Sequence, residues 1–347
     1  MTPPTWRRAV LLGGSGFCGA HLAERLVATG RAHTVCLVDL HPPTPGGYTA
    51  AFDAMLGDGR ITFSRGDVRA PLSVPPGPVD LIVNLAAVHR EPGHSAHEYF
   101  ATNVPGARHG CALAEATGCR TVVFVSSIAV YGAHDTPRTE DAPLCPTSPY
   151  GASKREAEAV HQAWAQGEAG RTLAIVRPGV VFGPGERGNV TRMVQGVLRR
   201  RFAFVGSAAV PKAGLYVREF AAATLFTLDQ ALAGHGNRGA QVAVANLTAH
   251  PVPTVQQYAQ AIGAVRGRPV RVPSVPLWAV LPPVAVAYAA ARLVGLRPAW
   301  HPMRIRKLAR PNVIAAEFLR QRQYVWQYPL PQALAEWARL RPDEWGG

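Results

Sequence analysis

Tyr150 and Lys154 stand four residues apart in Ser148-Pro149-Tyr150-Gly151-Ala152-Ser153-Lys154, and a serine pair, Ser126-Ser127, lies upstream. A phenol, an ammonium able to activate it and a hydroxyl able to hold an alcohol oxygen are the parts needed for hydride transfer at a carbinol carbon. On a helix, a spacing of four puts Tyr150 and Lys154 on one face. The lysine charge is expected to lower the phenol pKa, and a helix N-terminus just after Pro149 to push the same way. Tyr150 could then remove the alcohol proton as hydride leaves, or return it to a ketone, while Ser127 holds the same oxygen.

Hydride needs a carrier. Gly13-Gly14-Ser15-Gly16-Phe17-Cys18-Gly19 follows the apolar run Val10-Leu11-Leu12 and opens a helical stretch over 20–29, with Leu22, Leu26 and Val27 on its apolar side and Gly30 as its stop. Glycines at 13, 16 and 19 allow a tight turn and let a pyrophosphate approach the amides of the helix start, where Phe17 and Cys18 lie. Asp39 ends the next strand, twenty residues after Gly19. A carboxylate there accepts hydrogen bonds from a ribose 2′-hydroxyl and repels a 2′-phosphate, which favours NAD over NADP. Asp67-Val68 fits an adenine clamp, although Gly66-Asp67 reads equally as a plain turn.

These groups must be positioned by elements that the pattern makes visible. Near-continuous Val/Ile/Leu runs at 10–12, 34–38, 61–63, 81–85, 121–125 and 172–176 alternate with helical stretches over 20–29, 98–117 and 150–166. Strands of that kind lie in a parallel sheet covered on both faces. The fold class is therefore α/β, a Rossmann-type doubly wound parallel sheet with a smaller mixed α/β substrate lobe. Residues 1–177, with segments of the second half returning to the sheet, form the NAD-binding domain. Residues 178–347 supply most of the substrate lobe, with helices near 190–200, 220–233 and 255–264. The stretch 273–296 is apolar, broken by Pro282-Pro283 and marginal for a span of ~20 residues. It reads as a buried or interface helix, with peripheral membrane contact as the alternative, and not as an integral span.

Composition sets limits. At 347 residues, 48% apolar and 17% charged, the chain suits a soluble globular protein with a substantial core. Five cysteines form no CxxC pair and no His/Cys ligand spacing, which reads as reduced thiols in a cytoplasmic protein without a metal site. The run 9–12 is too short for a secretory signal. The net charge of +14 is almost all arginine, the lysines being Lys154, Lys212 and Lys307. It forms no long stripe and no aromatic-rich ribbon, so it reads as solvated faces or as a match to a nucleotide diphosphate, and not to nucleic acid.

Taken together, these motifs resemble an extended short-chain dehydrogenase/reductase of the NAD-dependent epimerase/dehydratase family, which modifies nucleotide sugars. The likeness rests on Gly13, Gly16 and Gly19; Asp39; Gly66-Asp67-Val68; Asn84-Leu85-Ala86-Ala87; Asn103-Val104; Val125-Ser126-Ser127 through Val130-Tyr131-Gly132; Thr139-Glu140-Asp141; Pro149-Tyr150-Gly151 with Ser153-Lys154; and Arg177-Pro178 followed by Phe182-Gly183-Pro184-Gly185. It covers residues 9 to 230, and more loosely to about 340. The resemblance implies that Leu85, Ala86 and Ala87 line the cofactor, that Asn103 braces it, and that Pro178, Val180 and Val181 pass the nicotinamide. It also implies that His89 faces the sugar, that Asn189 and Lys212 meet the substrate diphosphate with Arg304 or Arg306 as a further candidate, and that the protein is a homodimer.

Departures narrow the chemistry. Family 4,6-dehydratases carry an acid pair directly after the catalytic hydroxyl, and decarboxylating relatives a glutamate; here those positions are Ile128 and Ala129, which transfer no proton. Arg218-Glu219 replaces a frequent acidic pair, and Val180 a position that is often polar; these two changes blur the substrate. The expected activity is an NAD-dependent C4 epimerisation of a nucleotide sugar, a UDP-sugar foremost, through a transient 4-keto sugar. The alternatives are an NAD(P)H-dependent 4-ketosugar reductase and, more distantly, a hydroxysteroid-type dehydrogenase.

Overall fold

The computed structural model describes residues 4–346 except Pro92, Asp135, 235–238, Arg271, 297–301, 303–304 and 306–312. Arg304 and Arg306 therefore lie outside the described residues. Among the described residues, seven parallel strands form the central sheet in the order β10-β6-β5-β4-β1-β2-β3. They are β1 (Trp6–Leu12), β2 (Ala32–Asp39), β3 (Ile61–Arg65), β4 (Leu81–Asn84), β5 (Thr121–Val125), β6 (Thr172–Pro178) and β10 (Gln241–Leu247). Both faces are covered, as the continuous apolar runs require. On one face lie α1 (Phe17–Ala28), α2 (Ala50–Gly57) and α6 (Val217–Ala233), which share a core with Leu11, Leu37, Val83 and Val176. On the other, α3 (Ala96–Thr117) and α4 (Pro149–Gln166) pack over Val10, Ile82, Phe124 and Ile175. The chain is doubly wound, and its last sheet strand, β10, comes from the second half.

The strand order reverses between β1 and β4, which are neighbours. In open α/β sheets, ligands bind in the crevice at the carboxyl ends of such a pair. Gly13 follows β1 and donates its N–H to Val38 O; Leu85 follows β4 and donates to Leu12 O. The glycine turn and the Leu85-Ala86-Ala87 segment thus flank one crevice.

Helix starts follow their caps. Ser95 and Glu98 form a reciprocal capping box, so α3 begins at Ala96, two residues before the expected start, and it ends at Gly118 in the left-handed conformation at φ 67°. For α4, Ser148 accepts from Gly151 N and Pro149 stands at the first helical position.

The second half builds a separate core from Phe182, Val194, Phe204, Tyr258, Ile262 and Trp337. It carries β7 (Val180–Phe182), paired with β9 (Gly214–Tyr216), and α5 (Asn189–Leu198). Also there are β8 (Phe204–Val205), paired with β11 (Ser274–Val275), and α7 (Val255–Val265). The helices α8 (Leu277–Leu293), α9 (Glu317–Gln321) and α10 (Leu330–Leu340) follow. Of the expectation that the apolar stretch 273–296 is a buried or interface helix, the buried alternative is overturned: α8 has no buried residue. Among the described residues no helix is long and apolar enough to cross a membrane.

Candidate active site

Ser127 and Tyr150 arrive from different elements, and glycine lets them meet. Ser127 caps a short 3-10 turn, Ile128–Tyr131, through its hydroxyl, which accepts from Ala129 N at 3.2 Å. That turn lies directly on the first turn of α4. A Cβ at Gly151 would stand 2.3 Å from Ala129 O, so only glycine after Tyr150 permits the approach. The result sets the Ser127 hydroxyl near the Tyr150 hydroxyl at the carboxyl end of β5. Burial pushes the Tyr150 phenol up to about 12, the Ser127 hydroxyl pulls the other way, and the Glu91 carboxylate adds to the rise.

Lys154 lies one helical turn along α4 and is 1% exposed. Its Nζ donates to Val125 O at 2.6 Å and sits 4.3 Å from the centroid of the Phe124 ring. Burial lowers its pKa to about 7, while the neighbouring Glu158 carboxylate raises it. The expected lowering of the phenol by Lys154 is thus corrected. The ammonium is turned toward the β5 carbonyl, and desolvation dominates the tyrosine.

The glycine turn fits a dinucleotide. At Gly13, φ is 74° and a Cβ would stand 2.7 Å from the Ala86 backbone; at Gly19 it would meet the Gly14 backbone at 2.6 Å. Gly16 caps α1 with no side-chain hydrogen bond, so the first amides of a twelve-residue helix are left for an anion. The buried Ser15 hydroxyl beside them has no partner among the described residues. Asp39 closes the turn: its carboxylate accepts from Ser15 N at 3.1 Å and from Leu40 N at 2.8 Å.

Known proteins resemble this chain in sequence and fold. Residues 9–243 match the sequence profile of the NAD dependent epimerase/dehydratase family. The chain belongs to that family. It is accordingly of an enzyme family whose cofactor is NAD. Among its family relatives is the N-acetyl-alpha-D-glucosaminyl-diphospho-ditrans,octacis-undecaprenol 4-epimerase of Escherichia coli O157:H7, 30% identical over 229 residues. The match takes in 65% of this chain and spans 64% of that relative's length, a little under two thirds. The fold matches a solved UDP-galactose 4-epimerase, with a TM-score of 0.69 at 22% identity over 97% of this chain and 99% of that one. It also matches UDP-glucuronic acid 4-epimerase from Bacillus cereus in complex with NAD, with a TM-score of 0.71 at 16% identity over 97% and 99% of the two chains.

Other sequence-derived candidates of this family member divide between the crevice and the scaffold. Phe17 begins α1, its ring edge-on to His21, and Cys18 follows, its thiol pushed up to about 12 by burial. Leu85, Ala86 and Ala87 are half-buried at the crevice, and His89 is exposed just beyond, bonded to the Ala87 backbone. Pro178 is buried, Val181 half-buried and Val180 exposed, the last donating its N–H to Ala213 O. Asn103 braces protein: its amide oxygen accepts from Val88 N at 2.9 Å, and its nitrogen donates to Val88 O and Ser153 Oγ. It thereby holds the loop after β4 in place. Asp67 is paired with Arg69, and Val68 packs against Gly106. In the second lobe, Asn189 opens α5 and accepts from Arg192 at 2.7 Å. Lys212 is half-buried, with its pKa pushed down to about 8 by burial.

Sequence reasoning passed over the layer beneath. Glu158, buried in α4, takes hydrogen bonds from Ser126 at 2.5 Å and from Arg177 at 2.7 Å. Arg177 also donates to the Tyr131 hydroxyl, which donates to Asn246. Burial, the first influence on Arg177, would lower its pKa, but the Glu158 contacts outweigh it and hold the guanidinium above its ordinary value. His161 stacks on Phe124 with ring centroids 4.1 Å apart and is neutral, its pKa lowered to about 4 by burial. Tyr150, Lys154, Glu158 and His161 recur at helical spacing; continuing the stripe past Lys154 would have found the last two. Tyr99, whose ring lies 6.0 Å from that of Tyr150, comes from α3 and left no such signal.

Proposed function

We propose that this protein is an NAD-dependent sugar C4 epimerase acting on a sugar diphosphate through a transient 4-keto sugar. One observation carries the reading. The Ser127–Tyr150 pair stands at the mouth of the dinucleotide crevice with Lys154 behind it, and the two positions after Ser127 are Ile128 and Ala129. Proton transfer at the carbinol oxygen is provided for, whereas the acid and base that elimination needs at those positions are not.

In this reading Ser127 donates to the C4 oxygen and fixes it beside the Tyr150 hydroxyl. Tyr150, as phenolate, takes the C4 hydroxyl proton when the sugar is oxidised and gives it back when the ketone is reduced. Lys154 would have to turn from Val125 O toward the phenol to supply the positive charge that the phenolate needs, and Glu158 favours its protonated form. When bound, NAD would supply the acceptor and donor of the C4 hydride. Asp39 would take the adenosine ribose hydroxyls, and His89, Asn189 and Lys212 would meet the sugar and its diphosphate. Residues 1–177 with β10 and α6 would hold the dinucleotide, and most of 178–347 the substrate. The reading includes a cytoplasmic homodimer, in keeping with five free cysteines. The E. coli relative acts on a polyprenol-linked sugar, so UDP-sugars and polyprenyl-diphosphate sugars are both candidate substrates; each presents the same diphosphate.

The first test is the dinucleotide released when freshly purified protein is denatured. Near-stoichiometric NAD, with C4 interconversion of a sugar diphosphate in the absence of added cofactor, is expected. Tyr150→Phe should abolish turnover and spare the bound NAD. A protein that is empty or holds NADP, and that reduces a 4-keto sugar only with added NAD(P)H, would replace the epimerase with the reductase.

A further inference from the structure

The strongest unexplained feature is α8. A 17-residue apolar segment would ordinarily be buried, yet Trp278 is 79% exposed, Val286 70% and Leu293 87%. Only one stripe, Leu277, Val280, Leu281, Val284, Tyr288 and Ala291, is half-buried. The opposite face is also apolar, with Trp278, Ala279, Pro282, Pro283, Ala285 and Val286 on it. Among the described residues no other helix or strand packs closely on α8. A contiguous apolar surface of this kind marks an interaction site.

Charge selects the occupant. From Asp229 to Glu317 the chain contains no other acidic residue and ten arginines and lysines. Within α8 the one charged residue is Arg292, in its last turn. An apolar helix with a tryptophan in its first turn, set in a segment without negative charge, complements an anionic lipid surface. At ~1.5 Å per residue α8 is about 26 Å long, short of a ~30 Å hydrocarbon core, and Pro282-Pro283 interrupt it. It suits a helix lying in the headgroup region. A second copy of this chain would bring two such basic segments together and meet repulsion.

We propose that α8 is a membrane-surface anchor, bound to anionic lipid by its outward apolar face and the surrounding basic segment. The anchor stands independently of the sugar chemistry. It hangs from β11, which is paired with β8 in the lobe that carries Asn189 and Lys212, and would bring that lobe to the lipid headgroups.

The test is flotation of the full-length protein with vesicles of phosphatidylcholine alone, or with about one third phosphatidylglycerol, at about 0.1 M and about 0.5 M salt. Binding is expected to the anionic vesicles, about tenfold weaker to phosphatidylcholine and weaker at high salt. Trp278→Glu with Val286→Glu should reduce it at least about tenfold while bound NAD and Tm stay unchanged. Because an altered surface could disturb folding, brominated lipid should also quench wild-type tryptophan emission, and Trp278→Phe should remove that quenching. No flotation with either vesicle, or flotation indifferent to both variants, overturns the proposal. So does a lipid-free dimer that the double variant splits, which would assign the face to a second copy. Activity on soluble sugar nucleotides is read separately, so an anchor that fails leaves the epimerase test intact.

Discussion

Gly151→Ala probes the contact that brings the serine to the tyrosine. The new methyl would lie 2.3 Å from Ala129 O, 2.9 Å from Ala129 C and 3.1 Å from Pro146 Cβ. An ordinary carbon–oxygen contact begins at about 3.3 Å, so the turn carrying Ser127 must retreat by about 1 Å. Backbone occupies that space, so no side chain can swing aside. Overpacking of this kind costs about 1–3 kcal/mol of stability. A catalytic group misplaced by about 1 Å costs about 10²-fold in rate, or about 2.7 kcal/mol of barrier. The assay compares kcat for C4 interconversion with bound NAD and Tm in the same preparation. Turnover should fall about a hundredfold with NAD retained and only a modest loss of Tm. Gly57→Ala is the control: Gly57 ends α2 with nothing within 4 Å of a new Cβ, and the change should be neutral or slightly stabilising. Full turnover by Gly151→Ala would refute the argument that this contact sets the Ser127–Tyr150 geometry.

Glu158→Gln removes the carboxylate that raises the Lys154 pKa, so the alkaline limb of the rate profile should move to lower pH; a stationary limb would deny Lys154 its part in activating the phenol. The same change leaves the buried Arg177 without its counter-charge and should cost about 3–5 kcal/mol in denaturant unfolding. Asp39→Asn keeps an acceptor for the turn amides but drops the charge, and NADP retention relative to NAD should rise about tenfold on a dialysed sample. Acid should loosen the fold in a defined window. His21 and His161 are buried and neutral, each with a pKa lowered by burial to about 4. A depressed histidine contributes stability that is fully present above its unfolded pKa of ~6.5 and is lost as pH falls toward 4, on the order of 3 kcal/mol each. Unfolding at pH 7 and pH 4.5 should show that loss, and His161→Gln should shrink it.

The sheet was legible because each strand is a short apolar run that only a doubly covered parallel sheet can bury, and every strand expected from sequence stands in it. Element ends were less so. The start of α3 follows Ser95 and Glu98, a capping pair the apolar periodicity does not register. The chemical residues were legible as types and spacings, but their electrostatics were not. Lys154 facing Tyr150 along one helix suggests a charge beside a phenol. That reading knows nothing of the Val125 carbonyl and the Phe124 ring, which reach the lysine from a strand some thirty residues earlier.

The pair Arg218-Glu219 teaches the same point from the other side. Read against the family, its replacement of acidic residues blurred the substrate. In the fold Arg218 bridges Glu24 and Glu336, and Glu219, buried, accepts from Tyr324 and from the amides of Gln327 and Tyr328. Those contacts bind the chain after α9 to the start of α6, and none is directed at the crevice. A departure from a family pattern is therefore a departure in chemistry only where the side chain reaches the reacting atoms. By that criterion Ile128 and Ala129, on the turn that Ser127 caps, still bear on elimination versus epimerisation, and Arg218 and Glu219 do not.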